Sequence, residues 1–378
     1  ADSRIVVRRL KLRDNDMQSG VKEEKVVNTF CALCGPKGYC GIKCHVKDGR
    51  LVGIEGMENS PTNHGKLCPK AYASVQWLYS PQRLKYPMKR IGEKGEGKFT
   101  HISWDEALDI IANKLKEQKE KYGPESLAIL SSQFRSYTDY YLRFLAVHGS
   151  PNFGHSGICS MQRSFGFAHT IGMRQPSPDI ENSDLIVIWG ANPVHSSMPM
   201  GNLKRILDAK DRGARLMVIK PAMQPDAAKA DIWVPIRPGT DGALTLAVLN
   251  VIINDNLYDK DFVDKWCYGF EKLVPHIQKY TPTWAEQITG IPAERIREIA
   301  HVYAEAKTVS TMIGNAFDQM PDSSNAVRSI AILIAITGNI DRPGGDVMPM
   351  GSDMPSPKEV MLRKRYSREM IDKLVGPE

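Results

Sequence analysis

No stretch of this sequence reaches the roughly 18 apolar residues that a membrane-spanning helix needs. The longest apolar segments, such as Ala331 to Ile336, are short and fall inside helical patterns. There is no internal repeat and no low-complexity segment, which excludes solenoids and long linkers. Aromatic residues do not interleave with basic ones, so nucleic acid is not an expected partner. No signal-like apolar segment follows Ala1. A removed initiator methionine fits that start, and so does a cleaved export signal; the expected compartment is the cytoplasm. A disulfide framework is also missing. The cysteines are odd in number, seven, and five of them crowd into residues 31–68, a pattern of reduced thiols around metal rather than of paired bridges.

What is present is an ordinary globular composition. The chain has 378 residues, 42% hydrophobic and 25% charged, enough for two or three domains with real cores. The net charge of +7 collects partly in the basic ends, Arg4 to Arg13 and Lys358 to Lys373. These read as solvated termini; a basic surface facing an anionic cofactor or partner is the sharper alternative.

Residues 1–25 read as a polar extension, and 26–90 as a small cysteine domain with β-like runs such as Arg50 to Ile54. Pro81, Pro87 and Gly92 to Gly97 form a connector. In 91–150, Ser103 and Glu106 make a capping box before the apolar stripe Leu108, Ile111, Ala112 and Leu115, and Gly123-Pro124 stops the helix. Leu127 to Leu130 reads as a buried strand. Residues 151–345 turn α/β. Strands at Leu185 to Trp189 and Arg215 to Ile219 flank a helix over 201–212, a βαβ unit that implies a parallel sheet. A strand at Ile232 to Ile236, a helix opened by Pro238-Gly239-Thr240-Asp241 and running to about Asn254, helices over 292–306 and 322–337, and a strand near Val309 to Ile313 continue it. Residues 346–378 form an extended basic tail. The fold class is α/β: a small N-terminal cluster domain followed by α/β domains that include a Rossmann-like parallel sheet.

Cys31, Cys34, Cys40, Cys44 and Cys68 carry the densest chemical signal. A C-x2-C pair grips one centre from a single tight loop, a third cysteine follows closely, and a fourth arrives after a longer excursion. Four such thiolates hold either a [4Fe–4S] cluster or tetrahedral zinc. The spacing favours the cluster, since such triplets make poor zinc knuckles.

The segment CALCGPKGYCGIKCHVKDGRLVGIEGMENSPTNHGKLCPKA resembles the N-terminal cluster domain of the dimethyl sulfoxide reductase family, whose members carry a bis-molybdopterin guanine dinucleotide cofactor. The match runs through Val46, Asp48, Gly49, Gly56, Pro61, Asn63, Gly65, Cys68 and Lys70. Three departures stand out: a longer second gap, the extra thiol Cys44, and Ala71 where glycine is usual. Cys40 keeps the family interval of 27 residues to Cys68, so the resemblance implies Cys31, Cys34, Cys40 and Cys68 as ligands, with Cys44 as the alternative third ligand. It implies that Lys70 lies between cluster and pterin, where its charge assists electron transfer; a plain surface lysine is the alternative.

The resemblance continues through HISWDEALDIIANKL, VIWGANPVHSSMP, the P-G-T-D segment and ITGNIDRPGGD. It implies that a nucleotide moiety is held by Gly190, Asn192, Pro193, Gly239, Asp241 and Gly314. A glycine loop between a parallel strand and a helix suits phosphate independently. Asp241 is placed to accept hydrogen bonds from guanine or to cap the following helix. Lys220-Pro221-Ala222 replaces the usual D-P-R, so Lys220 is expected at a phosphate in place of an aspartate at a ribose. Cys159 stands where the family places its protein ligand to molybdenum or tungsten, and a soft thiolate suits those metals; a small buried core residue is the alternative. His155 and His169 flank it as candidate proton donors. Ser160 stands where formate dehydrogenases have histidine.

The resemblance thus implies the catalytic-subunit portion of a molybdenum or tungsten oxidoreductase acting on a small molecule by two-electron or oxygen-atom transfer. The alternatives are a non-redox hydratase, against which Gly35 counts, and a cluster-only electron relay. The resemblance breaks off soon after Gly345, so a partner chain or further segment is expected to supply the C-terminal pterin domain. A ferredoxin-like electron-transfer subunit is expected near the cluster.

Overall fold

The structure, a computed structural model, describes residues 24–33, 39–131, 138–155, 159–194, 201–348 and 368. The expected ligand Cys34, the N-terminal extension and nearly all of the expected tail lie outside these residues.

The chain begins with an antiparallel sheet of β1 (Lys25–Cys31), β2 (Cys40–Lys47) and β3 (Arg50–Gly56) in that order. Asp48 and Gly49, both at positive φ, make the tight turn between β2 and β3, the backbone that a two-residue hairpin requires. Strand alternation puts Cys31, Cys40, Ile42, Cys44 and Ile54 on one face. The helix α1 (Pro69–Leu78) begins directly after Cys68 with proline in its first turn, and Leu67 and Ala71 pack with Ile42 and Ile54 as a small core.

A short hairpin, β4 (Met88–Arg90) and β5 (Phe99–His101), leads to α2 (Trp104–Tyr122). Ser103 accepts the Glu106 N–H at 3.1 Å and Gly123 ends the helix, as the capping box requires. The apolar stripe forms but finds no cover: α2 buries no residue, and Trp104 is 64% exposed. The next strand corrects the sequence expectation. β6 (Ile129–Ser131) is short and Leu130 is 85% exposed. With β7 (Phe153–His155) it makes a parallel pair; α3 (Thr138–His148) between them packs on β6 and buries Leu142, Leu145 and Ala146, while Leu130 stays uncovered among the described residues, although parallel strands are otherwise found covered on both faces.

α4 (Met161–Ile171) and the two-residue β8 (Ser177–Pro178) precede the main α/β body. Its elements are β9 (Leu185–Trp189), α5 (Gly201–Asp211), β10 (Arg215–Ile219), β11 (Ile232–Val234) and α6 (Asp241–Asn254). They continue with α7 (Lys260–Trp266), α8 (Phe270–Ile277), α9 (Pro282–Thr289), α10 (Ala293–Glu305), β12 (Val309–Ile313), α11 (Ser323–Ile336) and β13 (Asp346–Val347). The sheet order is β11-β10-β9-β12, all parallel. β9 is buried at every position because helices cover both faces: Leu185, Val187 and Trp189 meet α6, α10 and α11, while Ile186 and Ile188 meet α5. Each such side chain contributes about 1.5–3 kcal/mol relative to exposure. α4 packs on α11 at Gly166, where an added Cβ would fall 2.6 Å from Val327.

β13 pairs with β8 and carries Asp346 to the outer edge of β12. There its carboxyl accepts the Thr311 N–H at 3.1 Å. Tyr303 shares the site, its hydroxyl 3.0 Å from Thr311 Oγ1. Burial pushes the Asp346 carboxyl well above the usual carboxylate range. A raised folded value means stability that is fully present in acid, below the ordinary value, and lost as pH rises through the raised one. Asp346→Asn is therefore expected to lift the unfolding temperature near pH 7 by roughly 2–4 °C, with a smaller gain at pH 4. Calorimetry across that range checks it; a gain equal at both pH values would refute the assignment.

Candidate cluster and cofactor site

Cys31 and Cys40 are direct cross-strand partners of β1 and β2, so two of the expected ligands stand side by side. Cys68 reaches them through Asn63. This fully buried amide accepts the Gly41 N–H at 2.7 Å and donates to Gly41 O at 3.1 Å and Lys66 O at 2.9 Å. One side chain thus joins the strand after Cys40 to the turn before Cys68. Gly56 allows the crossing: a Cβ there would meet Gly65 O at 2.3 Å. Cys44 lies four residues along β2 from Cys40, about 13 Å at strand rise, and burial pushes its thiol up. Cys31, Cys44 and Cys68 are free thiols. Among the described residues no three His, Cys, Asp or Glu side chains are grouped to hold a metal ion, Cys34 not being one of them. The thiol-rich, apolar face suits an iron–sulfur cluster, since cysteine thiolates are its ligands. Lys70 is exposed on the first turn of α1, two residues after Cys68.

The other expected residues gather at the C-terminal ends of the parallel strands. From β9 the chain moves outward to β10 and β11, then returns to the opposite side of β9 as β12, so the strand order reverses between β9 and β12. Open α/β sheets bind ligands at such a crevice. Gly190 follows β9 with φ of 59° and Gly314 follows β12; a Cβ on Gly314 would fall 2.2 Å from Gly190 O, and one on Gly190 2.7 Å from Ala316 Cβ. Two side-chain-free loops therefore cross where a ligand would approach the backbone, which fits a nucleotide. Asn192 donates to Gln224 Oε1 at 2.9 Å, Pro193 is buried beside it, and Gly239 is exposed at φ of 79° before α6. A cavity of about 360 Å³ near Asp184, Arg215 and Glu305 lies at the opposite, N-terminal ends of the strands and includes none of these residues.

Two side chains have partners the sequence did not foretell. Asp241 is the first residue of α6, with Thr240 as the cap, and its Oδ1 accepts Trp189 Nε1–H at 2.8 Å. Burial raises its carboxyl despite that bond. Lys220 is buried at 2.5 Å from Asp226 and 3.2 Å from Gln224 Oε1, so its charge is matched within the protein and not turned outward to a phosphate.

Cys159 sits half-buried in the turn just before α4. Ser160 between them is left-handed, φ 64°, a conformation that costs an L residue about 1–2 kcal/mol and that collects at functional sites. His155 ends β7 opposite Ser131. His169 stacks on Phe165 along α4. Sequence reasoning missed Arg163, in the first turn of α4, whose guanidinium meets the buried Asp318 at 2.7 Å. Its fourth-residue spacing from Cys159 was visible; a partner 155 positions away was not.

Comparison with known proteins agrees with this geometry. The family model for the molybdopterin oxidoreductase Fe4S4 domain matches residues 24–80, and that for molybdopterin oxidoreductase matches 83–365. The dimethyl sulfoxide reductase of Haemophilus influenzae is 35% identical over 366 residues, 86% of this chain and 45% of the relative. A formate dehydrogenase alpha subunit from Methanocaldococcus jannaschii is 36% identical over 333 residues, 87% and 48% respectively. The structure of acetylene hydratase from Pelobacter acetylenicus superposes with a TM-score of 0.79 at 30% identity, covering 91% of this chain and 48% of that one. The chain thus spans somewhat under half the length of these relatives.

Asn63→Ala is expected to strip three hydrogen bonds from the cysteine loop, costing roughly 3 kcal/mol, and to lower iron per chain. Iron analysis with thermal unfolding checks it; full iron at unchanged stability would show that Asn63 does not organise the ligands.

Proposed function

Because this chain belongs to the molybdopterin oxidoreductase family, we propose that it is the catalytic-subunit portion of a molybdenum or tungsten enzyme performing two-electron or oxygen-atom transfer on a small molecule. Its family brings a [4Fe–4S] cluster and a molybdopterin with molybdenum or tungsten. The observation that carries the reading is the strand-order crevice, where the loops of Gly190 and Gly314 cross.

In this reading Cys31, Cys34, Cys40 and Cys68 hold the cluster and Cys44 stays free. The cross-strand pairing of Cys31 with Cys40, and the 13 Å or so separating Cys44 from Cys40 along the strand, favour that choice. Lys70 sets a positive charge beside the cluster, on the route to the pterin. Gly190, Asn192, Pro193, Gly239, Asp241 and Gly314 hold the guanine nucleotide of one half of a bis-molybdopterin guanine dinucleotide. Lys220 has a different task from the phosphate contact expected of it: with Asp226 it fixes the loop that carries Gln224 against Asn192. Cys159 ligates the metal, and His155 supplies or accepts a proton near it. When bound, the cofactor metal takes up or releases two electrons or an oxygen atom, and the cluster passes electrons singly.

Acetylene hydratase as a structural neighbour favours one second reading, metal-assisted hydration without net electron transfer. A substrate reaction that consumes no reductant or oxidant would decide for it.

The uncovered stripe of α2 and the exposed Leu130 of β6 support a further segment or chain that completes this region and supplies the other pterin site. The relatives' greater length supports the same. An electron-transfer subunit of the ferredoxin type would serve the oxidoreductase at the cluster. Among the described residues no helix is long and apolar enough to cross a membrane.

Metal analysis of the native protein is expected to give about four irons per chain, set by the cluster type, together with molybdenum or tungsten; iron alone would identify a relay subunit. Cys159→Ala should lower turnover by more than roughly a hundredfold at unchanged iron, and an active variant would sink the ligand role. Cys44→Ser should keep the cluster while Cys40→Ser loses it. The opposite pattern would transfer the third ligand to Cys44.

A further inference from the structure

The turn that carries Cys159 is fastened to the nucleotide crevice by a single arginine. Arg163 donates through Nε to Asp318 Oδ2 at 2.7 Å and through its backbone N–H to Asp318 Oδ1 at 3.2 Å. One terminal nitrogen donates to Ile313 O at 3.1 Å and Gln175 Oε1 at 3.3 Å; the other donates to Asn315 Oδ1 at 2.7 Å. Its side chain is 12% exposed and that of Asp318 is 0% exposed. Ile313, Asn315 and Asp318 bracket Gly314, the glycine that crosses the β9 loop. The middle of α4 is seated separately, by Gly166 against Val327 of α11.

We propose that Arg163 is a positioning residue for the active metal: its fork, held by Asp318, fixes the Cys159 turn in register with the Gly314 loop. The proposal rests on the reading of Cys159 as a metal ligand. The physical argument is one of reference frames. A metal held both by a thiolate on one element and by a cofactor anchored on another is strained or loosened by any slip between the two. Here the two elements lie 155 residues apart in sequence. The left-handed Ser160 gives the turn a backbone poised to relax elsewhere. A planar guanidinium with donors in fixed directions satisfies four acceptors at once; a lysine ammonium on its flexible stem cannot reproduce that fork.

The test uses the full native enzyme with its cofactors. Arg163→Lys keeps the charge beside Asp318 and loses the fork. Iron, active metal and guanine nucleotide per chain are measured, with X-ray absorption for the metal–sulfur count and electron paramagnetic resonance of the partly reduced metal. Cys159→Ala is carried alongside and should remove one sulfur from the count. The expected result for Arg163→Lys is wild-type iron and nucleotide content, with the single metal resonance split into several species and a metal–sulfur count between those of wild type and Cys159→Ala. A wild-type resonance and count in Arg163→Lys, beside a lost sulfur in Cys159→Ala, would overturn the positioning role and leave the ligand role standing. An unchanged sulfur count in Cys159→Ala would overturn both. If Arg163→Lys does not accumulate, the paired replacement Arg163→Met with Asp318→Leu removes the buried charges together, a change such pairs tolerate, and is read by the same criteria.

Discussion

Two backbone loops cross with no room for a side chain between them, and most of the cofactor-facing architecture follows from that contact. Gly314 lies against Gly190 at the point where strand order reverses. The Trp189 carbonyl, just before the crossing, accepts the Gly314 N–H at 3.0 Å. The Trp189 indole, turned inward, donates to Asp241 at the start of α6 and meets Phe317 edge-on at 6.0 Å between ring centres. One aromatic side chain therefore ties three strand-end loops together from beneath. The backbone above is left smooth, as close approach to a phosphate requires.

The cluster domain is organised by different physics. Its core is small, essentially Ile42, Ile54, Leu67 and Ala71, and a core of that size contributes little stability by itself. The loop that delivers Cys68 is shaped by Asn63, whose amide adds ties to Gly41 and Lys66 beyond the backbone bonds of the turn itself. Metal binding to such thiols adds folding free energy directly, so the polar network and the cluster reinforce each other.

Between these two regions, α2 and the face of β6 that carries Leu130 are well formed in their secondary structure yet display apolar side chains outward, while α3 buries Leu142, Leu145 and Ala146. A capping box, a helix stop and a parallel strand pair are local achievements; burial is not. The proteins this chain resembles are about twice as long, and exposed apolar faces of this kind have the composition of an interaction surface.

Much was legible in the sequence. The apolar run Leu185 to Trp189 ending at Gly190 read as a strand, and the Ser103–Glu106 pair set where α2 begins. The cysteine spacing pointed to the Fe4S4 domain that the family model matches, and glycine after a strand pointed to a loop whose backbone is closely approached, as Gly314 approaches Gly190. These readings rest on local period, capping and backbone freedom, which a short window contains. Lys220 and Asp241 have partners within the protein that the sequence did not name, because charge and hydrogen-bonding capacity are sequence properties, whereas the partner is not. Asp226 lies only six residues beyond Lys220, in the segment after β10, and Trp189 meets Asp241 once the end of β9 and the start of α6 are brought together. Arg163 looked like any helical arginine until β12 brought Asp318 to it from 155 residues away. Composition and spacing determined which chemistries this chain can hold. Tertiary packing decided which polar groups face each other, because burial forces each charge to find a partner in space, whether six residues away as for Lys220 or 155 as for Arg163.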